Sequence, residues 1–102
     1  MTERIFVDTN VLVYAYDRSE REKQGTAFTI LDELVSMGAG VLSTQVLSEF
    51  FVTITRKIPA PLTIRQAEAR IHNYLQSWTV VDLTGLILLE AVRGVREHRM
   101  RY

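Results

Sequence analysis

Apolar positions along this chain fall into short unbroken runs, separated by stretches where they recur every three or four residues. Arg4-Ile5-Phe6-Val7, Val41-Leu42-Ser43 and Thr79-Val80-Val81-Asp82-Leu83 predict three strands. Continuous apolar runs of this length suit strands buried on both faces. Val11-Leu12-Val13-Tyr14-Ala15-Tyr16 is a further run that periodicity alone leaves open between strand and helix. Helical spacing appears in four sets. They are Ala27, Phe28, Leu31, Leu34 and Val35; Val46, Leu47, Phe50, Phe51 and Ile54; Ala67, Ile71, Tyr74 and Leu75; and Leu86, Leu89, Val92 and Val95.

Local signals bound these helices. Ser19 with Glu22, and Thr63 with Gln66, read as capping boxes, and Thr44 reads as the cap of the helix after the second strand. Gly38 and Gly40 close the first long helix, because glycine accepts the left-handed geometry of a helix end. Pro59 and Pro61 force an extended break. Strands alternating with helical stretches imply parallel pairing through crossovers. The expected fold is α/β, a three-layer sandwich on a short parallel sheet. No repeat, low-complexity segment or linker divides the chain, so residues 1–102 read as a single domain. Three strands make a narrow sheet for such a fold. The expectation is a minimal domain, or a longer one without its C-terminal part.

Composition narrows the class. The 102 residues are 47% hydrophobic, too apolar for a disordered tail. There is no Cys, which excludes disulfides and thiolate metal sites and suits the reducing cytoplasm. No apolar run reaches the roughly 18–20 residues that span a membrane. Met1-Thr2-Glu3-Arg4 leads straight into a strand, so no secretory signal is expected. The net charge of zero conceals an asymmetry. Residues 1–50 hold eight acids and four bases, and residues 51–102 hold four acids and eight bases. That division suits a cation site beside a surface for polyanions, or simply ordinary solvated helix faces.

Two acids stand out. Asp8 closes the first strand, where open parallel sheets place their ligands, and Thr9-Asn10 follows it. A carboxylate there can hold a hard cation, or cap the helix that follows. Glu49 borders the apolar face of the helix carrying Val46, Leu47, Phe50 and Ile54. An acid at the edge of a core needs a partner, either a metal ion or a surface base such as Arg56 or Lys57.

Together these residues resemble a known family. Ile5-Phe6-Val7-Asp8-Thr9-Asn10-Val11-Leu12 is similar to the opening motif of PIN-domain proteins, a hydrophobic strand running into Asp-Thr-Asn. Ser43-Thr44-Gln45-Val46-Leu47-Ser48-Glu49-Phe50 is similar to the segment carrying the second acid in VapC-type toxins. The resemblance extends over the whole chain, because the element order fits as well.

The resemblance implies a metal-dependent endoribonuclease of the toxin–antitoxin type, cytoplasmic, that cleaves RNA by metal-activated water. Asp8 and Glu49 match the first two acids of a cluster that binds Mg²⁺ or Mn²⁺, with Thr9 and Asn10 in support. The third acid of that family follows the last helix, and this chain ends at Tyr102 where its motif would begin. Arg56, Lys57, Arg93 and Arg96 are candidates for RNA phosphates. The implied partners are an RNA substrate, a cognate antitoxin, and a second copy in a homodimer or higher oligomer. The alternative is an inactive, truncated PIN domain that binds an antitoxin helix or oligomerises. A phosphate-binding α/β protein of the receiver or flavodoxin type is disfavoured, since no glycine-rich phosphate loop occurs.

Other polar and aromatic residues read as structural. Asp82 suits a strand end or turn and Asp17 a loop, while His98 suits a solvated tail. Trp78 reads as core. Tyr14 and Tyr16 flank the first motif, where they either line its cleft or pack.

Overall fold

The run that periodicity leaves ambiguous is helical. In the computed structural model, which describes residues 4–82, 84–86, 88–89 and 92–93, strand β1 (Ile5–Phe6) leads into helix α1 (Thr9–Tyr14). Helix α2 (Arg21–Met37), strand β2 (Gly40–Ser43) and helix α3 (Thr44–Arg56) follow. Helix α4 (Ile64–Ser77) and strand β3 (Thr79–Val81) complete the set, and residues 85–86, 88–89 and 92–93 are helical. Val11, Leu12 and Val13 are all buried, which a short helix enclosed by neighbours allows. The fold is α/β with a small three-stranded parallel sheet and four helices, as expected.

The sheet order is β1-β2-β3, both pairs parallel. Ile5 lies opposite Gly40, and Val41 opposite Thr79. Parallel pairing brings the C-terminal ends of all three strands to one edge, so the residues that follow them (Asp8, Thr44 and Asp82) share that edge. Helices α2 and α3 pack on β2, α4 packs on β3, and α1 packs against α2 and α3. Leu12, Leu42, Phe50 and Ile54 are fully buried at the centre. Tyr16, Phe50, Tyr74 and Trp78 run through this core with ring centroids 5.5, 5.8 and 6.0 Å apart. Trp78 is partly buried and packs against the core, close to its expected role.

Several boundary signals resolve differently. Ser19 and Glu22 form no capping box. Asp17 is buried, and its carboxylate takes both the Ser19 hydroxyl at 2.6 Å and the Ser19 amide at 3.0 Å. With that hydroxyl engaged, Glu20 occupies the α2 cap position with no side-chain bond. The α3 cap is Ser43 rather than Thr44, and its hydroxyl accepts from the Val46 amide at 3.0 Å. Thr63 and Gln66 do form the expected box, with both reciprocal bonds present, at 3.0 and 3.1 Å. Such a cap is worth about 1 kcal/mol. Gly38 ends α2 at φ 63°, where a side chain would be strained. Gly40 instead opens β2 beneath the Trp78 ring.

The apolar stripes are narrower than their spacing predicts. Helix α2 buries Ala27, Leu31 and Leu34 against its neighbours and leaves Phe28 and Val35 exposed on the flanks. Leu75 of α4 is half exposed. Leu86, Leu89 and Val92 are exposed too, so the face predicted for the last helix is unpaired among the described residues. Val95 and Leu83 lie outside the described residues. No helix among the described residues is long and apolar enough to cross a membrane.

Burial holds the Tyr74 phenol well above its usual value near 10, helped by Tyr16, whose hydroxyl lies 3.2 Å away; Arg70 opposes the shift. The unfolded phenol ionises near pH 10 while the folded one keeps its proton. Its contribution is therefore complete below pH about 10 and is lost as pH rises further. Urea midpoints measured from about pH 8 to 11 should fall on the alkaline side, and Tyr74→Phe should flatten that fall.

Candidate active site

Asp8 follows β1 and takes the N-cap position of α1, with extended backbone (φ −73°, ψ 149°), yet its side chain makes no cap bond. The first turn is closed by backbone alone, the Val11 amide donating to the Asp8 carbonyl at 3.1 Å. The carboxylate is thus free of any hydrogen bond to the helix end. It is exposed, and it lines a cleft of about 510 Å³ together with Thr9, Asn10, Glu49 and Lys57.

Glu49 reaches the same cleft from α3. The Thr9 hydroxyl donates to one of its oxygens at 2.9 Å, and the Gln45 amide donates to the other at 3.3 Å. Forty positions apart in sequence, Thr9 and Glu49 are joined because α1 packs on α3. The residue after Asp8 therefore orients the second acid. These donors, rather than Arg56 or Lys57, make the hydrogen bonds to the Glu49 carboxylate.

Sequence reasoning missed Ser48 and Thr53, which also line the cleft. For Thr53 the signal was helical spacing. Gln45, Glu49, Thr53 and Lys57 follow one another at four-residue steps, so they form a single stripe on α3 and its end. That stripe brings Lys57 to the wall of the cleft that holds the acids. Arg56 and Arg93 are exposed but do not line the cleft, and Arg96 and His98 lie outside the described residues. Asp82 stays out of it as well, accepting a long bond of 3.4 Å from Thr44. Neither tyrosine flanking the motif lines it. Tyr14 lies by Lys23, and Tyr16 packs on Phe50.

The donor set suits a hard divalent ion. Apart from Lys57 and Val52, the cleft offers the carboxylates of Asp8 and Glu49, the hydroxyls of Thr9, Ser48 and Thr53, and the Asn10 amide. Mg²⁺ prefers oxygen, keeps several waters, and is commonly held by one or two carboxylates plus substrate phosphates. Among the described residues no group of three His, Cys, Asp or Glu side chains comes together. Two carboxylates therefore carry whatever affinity the described site has.

A PIN domain family model matches residues 5–101. The chain belongs to the PIN domain family. No curated protein and no solved structure matches it. PIN domains form a nuclease superfamily, hydrolases that act on RNA or DNA and in general use divalent metal ions.

Proposed function

We propose that this PIN domain is a metal-dependent endoribonuclease of the VapC toxin type, working in the cytoplasm and held in check by a cognate antitoxin. The observation that carries the reading is the pairing of Asp8, uncommitted to capping, with Glu49, oriented by Thr9, in one cleft. Asp8 and Glu49 would hold Mg²⁺ or Mn²⁺. When bound, the ion supplies Lewis-acid charge to a phosphodiester. Thr9 and Gln45 keep both Glu49 oxygens aligned, and Asn10 offers a further polar group at the cleft wall. Lys57 places a positive charge for the non-bridging phosphate oxygens. Hydrolysis joins the oxygen of water to phosphorus and breaks the bond to the leaving sugar oxygen, which takes up a proton.

End-labelled RNA incubated with the chain should be cut with Mg²⁺ or Mn²⁺ present and remain whole in EDTA. Cutting that is indifferent to EDTA would reject the metal.

A second reading, a binding module without turnover, is favoured by the cleft's having only two acids among the described residues. An apolar groove of about 390 Å³ between α3 and α4, lined by Leu47, Phe51, Val52, Ile71 and Leu75, suits an antitoxin helix. Exposed Leu86, Leu88 and Leu89 support self-association into a homodimer or higher oligomer. Under this reading, antitoxin binding persists in EDTA while RNA stays intact at every metal concentration.

A further inference from the structure

The far end of α1 borders a second cleft of a different chemical kind. Its volume is about 440 Å³, and it lies between Tyr16, the 60–62 segment, and the side chains of Arg18, Phe28, Gln66 and Arg70. Two guanidiniums line it and no carboxylate does. Among the described residues neither arginine is paired with an acid. The Arg70 guanidinium sits 6.0 Å from the centre of the Tyr16 ring, a contact that helps hold it at the cleft. Gln66 spends its amide oxygen on the Thr63 amide at 3.0 Å, which leaves its NH₂ group to donate. Phe28 is 48% exposed at the rim, although its place in the α2 pattern predicts burial.

Each of these features matches part of a nucleotide. Guanidiniums present planar forks that fit phosphate oxygens, and an exposed flat ring offers a stacking face to any base. We propose that this cleft binds one nucleotide unit of the strand being cut, its phosphate on Arg18 and Arg70 and its base on Phe28. The proposal rests on the nuclease reading above and adds to it a second anchoring point. Helix α1 has Asp8 at one end and Ala15 and Tyr16 just past the other, and its six residues rise about 9 Å. Lys57 of the acid cleft and Ala60 of this one belong to the same connection between α3 and α4. Lys57, Pro59 and Ala60 are exposed along that connection, so a strand following it reaches both. Because no reacting atom sits at the second cleft, it sets affinity and register and leaves the chemistry to Asp8 and Glu49.

The test is equilibrium binding of an end-labelled single-stranded RNA to the full chain in EDTA, where nothing is cut, over a range of salt. Both arginines are exposed, so Arg18→Ala/Arg70→Ala should keep the native circular dichroism. It should weaken binding and reduce the slope of log K against log salt by about 0.7 for each phosphate that is no longer neutralised. Phe28→Ala should weaken binding about fivefold or more at an unchanged slope, since stacking releases no counterions. A merely structural role would not separate the two variants in this way. Strand binding indifferent to both arginines overturns the proposal, and so does no binding by the parent chain. If adenosine monophosphate saturates the cleft in an arginine-dependent manner while strand binding is unchanged, the phosphate belongs to a free nucleotide and the strand site is rejected. Metal-dependent cutting that continues in the double-arginine variant with unaltered strand affinity removes this proposal and leaves the nuclease reading standing.

Discussion

Replacing Asp8 with Asn should lower RNA cleavage at least about 100-fold, equivalent to about 2.7 kcal/mol in the barrier, and leave the fold intact. Asn keeps the size and shape of Asp and removes only the charge that would hold a divalent ion. Since the Asp8 side chain makes no cap bond, the helix loses no hydrogen bond. Asn is as good an N-cap residue as Asp, so Tm should change little. Glu49→Gln should behave alike, because its amide oxygen can still accept from Thr9. Thr9→Val is the informative companion. It keeps both carboxylates but frees Glu49 to rotate, and the expected loss is smaller, about tenfold. Cleavage rates and melting curves on the same preparations decide the matter. Full activity in Asp8→Asn would sink the site, and a collapsed melting curve would show that the acid has a structural role instead.

The second large effect concerns stability. A Cβ on Gly40 would penetrate the Trp78 ring, with Cε3 at 2.9 Å and Cη2 at 3.0 Å. The ring is a rigid wall rather than a flexible tip. Trp78 also packs edge-on against Tyr74, so displacing it loosens the core below. Gly40→Ala should cost about 1–3 kcal/mol, as overpacking does, and lower Tm by roughly 5–20 °C. The control is Gly25→Ala. Gly25 lies within α2 with nothing near its added Cβ, so that change should stabilise by about 0.4–1 kcal/mol. Two changes from glycine to alanine in one chain then have opposite signs. Adding Trp78→Leu to Gly40→Ala should recover part of the loss if the clash is the cause. Equal and small effects at both glycines would refute this account.

Much of the fold was legible because hydrophobic period and element order are local properties. The three strands and the Thr63–Gln66 cap can be read directly from neighbouring residues. What was not legible depended on packing between distant segments. Ser19 looks like a cap until the buried carboxylate of Asp17 claims its hydroxyl. Gly40 looks like part of a helix end until Trp78 is seen above it. Val11–Tyr16 is resolved only by the packing of its neighbours.

The site divides in the same way. Asp8 and Glu49 emerge from a motif and a helical register, and the structure brings them to one cleft. The Thr9–Glu49 bond joins segments that no spacing rule connects. Lys57 is visible in the sequence as a base, but its place on the wall of the acid cleft follows from counting turns of α3 on from Glu49.

Trp78 is also the single tryptophan of the chain. It sits between α4 and β3 and covers the first residue of β2, so its surroundings are complete only when β2 and β3 are brought together. Its emission colour is therefore an intrinsic, label-free report on closure of the sheet. Stopped-flow refolding followed at this one indole would time the meeting of strands far apart in sequence, separately from the faster winding of the helices.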